Sequence, residues 1–224
     1  MKVALLGAES TGKTALVEAL ATALRARGEQ VTAVPEHLRH WCTEQGRTPL
    51  VHEQIGIAAE HAKHVETATT PWVIADTTPL MVAVYSELLF GDRSLYPMAL
   101  AHQRSYDITL VMGLDLPWVA DGFQRDGAHV RAPVDVLLRS ALASAGIAFQ
   151  VVYGSNGQRL QNALNAINSI ASYQAQALTY KQKDLKNSKN SSWAWFCEHC
   201  DDSACERHLF TAKLGLAAAA GPKQ

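Results

Sequence analysis

The sequence carries almost no excess charge: 20 Lys and Arg stand against 21 Asp and Glu, a formal net charge of −1 over 224 residues. That balance gives no electrostatic basis for gripping a polyanion, so nucleic acid is not an expected partner. Long apolar runs are missing as well. No stretch approaches the roughly 20 residues of a membrane-spanning helix. The apolar start, Met1 to Leu6, is too short for a secretory signal, because a glycine-containing loop begins where the hydrophobic region would have to continue. Cysteine is scarce too. Of the four present, three are crowded between Cys197 and Cys205, which fits a reducing cytosol with metal binding better than a disulfide framework. Cys42 stands alone and is expected to be buried or half-buried. No internal repeat is visible. With 48% hydrophobic content the chain is long enough for one well-cored domain and a small appendage.

What is present begins at Gly7. Gly7-Ala8-Glu9-Ser10-Thr11-Gly12-Lys13-Thr14 matches G-x-x-x-x-G-K-[ST], directly after the strand-like run Val3 to Leu6. Ala15, Leu16, Ala19, Leu20, Ala23 and Leu24 follow at helical spacing. This is a phosphate-binding loop in its proper setting. Its glycines let the backbone turn so tightly that successive N–H groups point at phosphate oxygens, while the following helix adds its dipole. Lys13 is expected to reach the β and γ phosphates and the Thr14 hydroxyl to ligate Mg²⁺. Gly7, Glu9, Ser10, Thr11, Gly12, Lys13, Thr14 and Ala15 are the expected contacts of a bound ATP.

Short apolar runs near 2–6, 30–35, 72–76, 107–113 and 148–152 alternate with helical patterns, a rhythm that predicts an α/β fold with a five-stranded parallel sheet covered by helices. Thr78 before Pro79, and Ser155 or Asn156 before the stripe of Leu160, Leu164 and Ile167, are expected helix caps. Composition shifts after about Tyr173. The expected organisation is a P-loop domain over 1–173, then a polar linker or fraying exposed helix over 174–192. A small module carrying the cysteine cluster follows over 193–212, with a disordered tail at 213–224.

Two acids fall at strand ends. Glu36 follows Val34-Pro35, so it is expected at the carboxyl edge of the sheet, where open α/β sheets bind ligands. There a carboxylate either accepts the proton of an attacking hydroxyl or simply holds that hydroxyl. The alternative is an acidic first-turn residue stabilised by a helix dipole. Asp76 ends Trp72-Val73-Ile74-Ala75-Asp76, the pattern of an acid that orients Mg²⁺ beside a phosphate loop, or else of a helix cap. Arg125 and Arg131, in the stretch after the fourth strand, are either arginines of a lid that closes over the triphosphate or ordinary solvated ones.

Glu9-Ser10-Thr11-Gly12-Lys13-Thr14, Pro35-Glu36-His37-Leu38-Arg39, Ile74-Ala75-Asp76-Thr77 and Pro117-Trp118-Val119-Ala120-Asp121-Gly122 together resemble the ribosylnicotinamide kinase domain of NadR-type proteins. The resemblance covers roughly residues 1 to 170. It implies a P-loop nucleoside/nucleotide kinase that transfers the ATP γ-phosphate to the ribose 5′-hydroxyl of nicotinamide riboside. Val34-Pro35-Glu36 and Arg39-His40-Trp41 are also similar to the deoxynucleoside kinases, in which the matching Glu is the proposed base. The implied catalytic set is Lys13, Glu36, Asp76, Arg125 and Arg131, and the implied substrate contacts are Glu36, Arg39, Gln54, Trp118 and Asp121. Gln54 lies with Glu60, His61 and His64 on a helix expected over about 51–68, from which nucleoside kinases often read the base. His61 and His64 themselves read as a solvated face. The sequence departs from the family where Gln124 precedes Arg125, and Trp118 fits core packing as well as substrate contact. Bifunctional relatives carry an adenylyltransferase region before the kinase. Here the first strand starts at Lys2, so the expectation is a chain that does not complete NAD synthesis by itself.

Cys197-x-x-Cys200-x-x-x-x-Cys205-x-x-His208 offers four ligands in two closely spaced pairs, for which Zn²⁺ is the natural occupant. Free thiols or a redox C-x-x-C are the alternatives. The rival from another class is a nucleotide-dependent regulatory or adaptor ATPase that meets a protein partner through this zinc module.

Overall fold

The strands that the apolar runs predict do form, and their burial explains their composition. In the computed structural model, which describes residues 1–119 and 127–187, β1 (Lys2–Leu6) is the middle strand, and Val3 to Leu6 are fully buried. β4 (Ile108–Met112) is buried at all five positions, as expected where helices cover both faces of a parallel sheet. With β2 (Val31–Val34), β3 (Trp72–Asp76) and β5 (Gln150–Val152) they make a five-stranded sheet in the order β2-β3-β1-β4-β5, parallel throughout.

Alternation along β1 sends its side chains to different layers. Val3 and Leu5 join Leu16, Leu20 and Leu24 of α1 (Lys13–Arg25) and Leu164 and Ile167 on one face. Leu6 joins the other, with Ile57 of α3 (Gln54–Thr67), Leu80 and Val84 of α4 (Pro79–Phe90), and Leu138 and Leu142 of α6 (Arg131–Ser144). Each such aliphatic side chain contributes about 1.5–3 kcal/mol on burial. α4 is apolar nearly all round, and Pro79 to Val84 are all buried, which makes it the central helix of its layer. Its cap is the expected one, Thr78 Oγ1 accepting the Leu80 N–H at 3.2 Å. α2 (His37–Gln45) packs on α3, α3 on α4, and α4 on both α5 (Tyr96–Gln103) and α6.

The chain divides into two compact units, Met1–Tyr173 and Gln174–Gln224. The last helix, α7 (Asn156–Asn187), continues through the first part of the polar stretch after Tyr173. The four expected zinc ligands, Cys197, Cys200, Cys205 and His208, lie outside the described residues, as do Asp121 and Arg125. Cys42 is buried, as expected. No helix among the described residues is long and apolar enough to cross a membrane.

Because β1 lies between β3 and β4, the connections leaving the carboxyl ends of these strands diverge there and open a crevice, the usual ligand position of such sheets. The loop after β1, Glu36 after β2 and Asp76 at the end of β3 all occupy that edge.

Candidate active site

The phosphate loop fits only glycine at its two ends. Gly7 has φ +150°, and a Cβ there would lie 2.9 Å from Met112 Cβ. Gly12 has φ +76°, and its Cβ would sit 3.1 Å from Leu116 Cδ1. Ser10, with φ 55°, is held in the left-handed region without glycine's freedom, the kind of local strain that collects at functional sites. Thr11 Oγ1 ties the loop together by donating to the Ala8 carbonyl at 2.7 Å. Lys13 Nζ donates to the Gly7 and Ala8 carbonyls at 3.0 and 2.9 Å, so its ammonium lies folded over the cradle that a triphosphate would fill.

The Thr14 hydroxyl donates to Asp76 Oδ2 at 2.5 Å. Asp76 is 2% exposed, and its other oxygen, Oδ1, is buried with no hydrogen-bond partner among the described residues. Burial pushes this carboxyl above the usual carboxylate range and the neighbouring Glu36 carboxylate pushes the same way, against the Thr14 hydrogen bond and the Lys13 ammonium. A buried acid with an orphaned oxygen, next to a hydroxyl, is short of a cation. Carboxylate and hydroxyl oxygens are the hard donors that Mg²⁺ takes, so Thr14 and Asp76 fit that ion. The bland alternative for Asp76, a helix cap, is supplied instead by Thr78.

Glu36 occupies the N-cap position of α2, yet its side chain makes no cap hydrogen bond. The carboxylate instead pairs with Arg39, Glu36 Oε2 to Nε at 3.2 Å, with the Glu36 side chain 18% exposed and that of Arg39 45%. Its charge also reaches Asp76, whose carboxyl it pushes upward. Gln54, at the start of α3, is 3% exposed, and its Oε1 is buried without a partner among the described residues.

The Glu9 side chain adds contacts beyond the loop itself. Its Oε1 accepts from Trp118 Nε1 at 3.3 Å and from the Gly127 N–H at 3.2 Å, while Ser10 Oγ accepts the Val119 N–H at 2.8 Å. The side chains of the phosphate loop thus engage both flanks of the stretch between Val119 and Gly127. Trp118 is half-buried and held by that contact. Arg131 is not a solvated loop residue. It opens α6 at 7% exposure and donates from Nη1 to the Leu116 carbonyl at 2.8 Å, with Nε and Nη2 buried and unpartnered among the described residues. Guanidinium groups in that state favour an anion close by.

Two residues of the site have no counterpart in the sequence-based set. Arg159 in α7 is 3% exposed; it donates from Nη1 to the Thr11 carbonyl and from Nη2 to Asp115 Oδ1 at 2.7 Å, bracing the phosphate loop from the β5 side. His61 overturns the expectation of a solvated face. It is 2% exposed, and burial lowers its imidazole from 6.5 to about 4, keeping it neutral. The spacing of Gln54, Ile57, Ala58, His61 and Val65, all buried on one stripe of α3, was the available signal. His64, by contrast, lies on the exposed side against Glu60, at 3.4 Å. Among the described residues no group of three or more His, Cys, Asp or Glu is arranged to hold a metal, so any cation here depends on phosphate or water for the rest of its shell.

Comparison with known proteins agrees with this architecture. A NadR protein solved with NR is 20% identical at a TM-score of 0.61, over 75% of this chain and 51% of its own. A NadR protein solved with NAD and AMP-PNP is 17% identical at 0.59, over 76% and 49%. The chain therefore spans about half the length of the NadR structures it matches. Deoxyadenosine kinase from M. mycoides, solved with dCTP, is 15% identical at a TM-score of 0.51, over 75% of this chain and 100% of its own. Together these likenesses establish the P-loop kinase-like fold. No curated protein matches the sequence. A family model described as "AAA domain" matches residues 2–159, a span that takes in the phosphate loop, Glu36, Asp76, Arg131 and Arg159, and with most of its length so matched the chain belongs to that family.

Proposed function

We propose that this protein is an ATP-dependent kinase that phosphorylates the ribose 5′-hydroxyl of a nucleoside, with nicotinamide riboside as its acceptor and nicotinamide mononucleotide as product. The observation that carries the reading is Glu36. A carboxylate at the carboxyl edge of the sheet that forgoes the cap of its own helix, and whose charge reaches Asp76, suits an acceptor site, which a nucleotide switch does not need. The NadR structures, one of which holds NR, support the choice of acceptor.

In this reading the loop N–H groups and Lys13 hold the triphosphate, and Arg131, with two buried nitrogens unpartnered among the described residues, faces the charge that develops during transfer. Thr14 and Asp76 would hold Mg²⁺, which would supply charge neutralisation at the phosphates. Glu36 accepts the proton of the 5′-hydroxyl as its oxygen bonds to the γ-phosphorus. The bond between that phosphorus and the β–γ bridging oxygen breaks, and ADP leaves. Arg39 steadies the Glu36 carboxylate, and Gln54 offers a buried carbonyl to the base.

Coupled ATP consumption, with nicotinamide riboside, adenosine, uridine, cytidine and deoxynucleosides compared at equal concentration, tests the proposal. Strong preference for nicotinamide riboside supports it in full, and preference for another nucleoside keeps the mechanism and changes the acceptor. ATP hydrolysis indifferent to every acceptor would move the protein to the regulatory ATPase class.

We further propose a structural Zn²⁺ on Cys197, Cys200, Cys205 and His208, on the strength of their spacing alone. Metal analysis of the purified chain should find about one Zn per chain. Full metal content in a Cys200→Ser protein would dismiss the site.

A further inference from the structure

We propose that His61 is a positioning residue that fixes the spacing between the two carboxylates of the site, setting the Glu36 end through one ring nitrogen and the Asp76 end through the other. The inference rests on the kinase reading of Glu36 and Asp76 given above. Its physical basis is a pair of hydrogen bonds from one ring. His61 Nδ1 accepts the backbone N–H of His37 at 3.3 Å, and His37 is the residue immediately after Glu36. His61 Nε2 lies 3.2 Å from the Thr77 carbonyl oxygen, and Thr77 is the residue immediately after Asp76.

Since Nδ1 accepts the hydrogen bond of the amide, it carries no proton of its own, and Nε2–H is the donor to Thr77. One rigid plane thus spans from the start of α2 to the end of β3, with an acceptor on one side and a donor on the other. The two strands concerned, β2 and β3, are neighbours in the sheet, but past their carboxyl ends no ladder hydrogen bond sets the distance between Glu36 and Asp76. Val34 pairs with Ala75, and the register ends there.

Thr77 has reason to need a tether. Its φ of 66° puts a β-branched residue in the left-handed region, a conformation that persists only where the surroundings impose it. On one side its N–H is held by the Leu5 carbonyl at 3.0 Å, and on the other its carbonyl is held by His61. Thr78 Oγ1 adds a bond to Gln103 Oε1 at 2.7 Å, and Gln103 Nε2 donates to Thr109 Oγ1 at 3.0 Å. The Asp76 side is thereby locked into the sheet, and His61 transmits that fixed position to the start of α2. A leucine would fill the same volume but leave a buried carbonyl and a helix N-terminal N–H without partners.

Two substitutions separate the halves of this bridge in the full-length protein. Asn places its carboxamide oxygen where Nδ1 was, and so keeps the acceptor for the His37 amide while losing the donor to Thr77. Gln places its amide nitrogen where Nε2 was, and so keeps the donor and loses the acceptor. His61→Gln is expected to speed hydrogen exchange at the His37 amide and to lower kcat by about ten- to a hundred-fold with ATP affinity unchanged, the scale of a displaced reacting group. His61→Asn is expected to leave His37 exchange as in the wild type. The Mg²⁺ concentration needed for half of the ATP-induced rise in Tm should increase by about ten-fold, the scale of losing a contact that orients a metal-binding residue.

Equal losses in both variants on every readout, following their loss of Tm, would make His61 a packing residue only and overturn the proposal, as would wild-type behaviour in both. If the unmodified protein consumes no ATP in response to any acceptor, the kinase reading fails. His37 exchange and the Mg²⁺ titration then still decide whether His61 holds the two ends.

Discussion

A Glu36→Gln protein should keep its fold and its ATP affinity while turnover with the preferred nucleoside falls by about 10²–10⁴-fold, the usual contribution of a positioned general base. The structure makes this substitution a clean one. Glu36 caps α2 only with its backbone, so the helix start does not depend on the carboxylate. The ion pair with the largely exposed Arg39, at 3.2 Å, is worth at most about 1 kcal/mol to stability. Gln is close in shape and still holds a hydroxyl by a hydrogen bond, but it does not accept a proton at neutral pH. Steady-state kinetics therefore separate the two roles. A collapse of kcat identifies a base, a rise in KM alone identifies a residue that only holds the acceptor, and unchanged kinetics remove Glu36 from the mechanism.

The parts of this site whose placement was legible in the sequence are those that depend on chain-local spacing. The phosphate loop is spelled by eight consecutive residues because its cradle is made of backbone. The place of Asp76 was legible because a strand that is apolar up to its last residue ends on it, and that of Glu36 because Pro35 follows β2 just before it. The five strands came out within two residues of their actual bounds, since parallel strands buried on both faces are nearly continuous apolar runs. What failed to show was the direction of polar side chains whose partners are remote in sequence. Arg159 braces the loop through a carbonyl 148 residues away, and the Glu9 carboxylate meets Trp118 and Gly127, 109 and 118 residues on. Nothing in their neighbourhood spells those contacts. His61 is an intermediate case. Its polarity suggested solvent, while its place between Ile57 and Val65 on the α3 stripe put it in the interior, and the stripe prevailed.

Asp76→Asn should show the opposite balance between activity and stability. Turnover is expected to fall by about 10²–10³-fold, the scale of losing one charge-stabilising group from a preorganised site, with a raised Mg²⁺ requirement. Folding of the metal-free protein at pH 7 should become more favourable, seen as a higher Tm. Both effects come from one feature. Burial disfavours the charged form of Asp76, and the Thr14 hydroxyl and the Lys13 ammonium offset that only in part. Asn keeps the shape and, through its carbonyl oxygen, the acceptor for Thr14 Oγ1, which lies 2.5 Å from Asp76 Oδ2. Each residue leaves one polar atom unpartnered at the position of Oδ1, so the removed charge is the main difference between them. A site that holds an incompletely compensated carboxylate in the absence of its cation is less stable than the fold around it allows, a common cost of function. Thermal unfolding in chelator and in Mg²⁺ with ATP measures both halves. The variant should melt above the wild type in chelator, and added Mg²⁺ and ATP should narrow or reverse that order. A variant that melts lower in chelator would show that the Asp76 charge is already compensated within the protein, and would remove the main physical argument for a cation there.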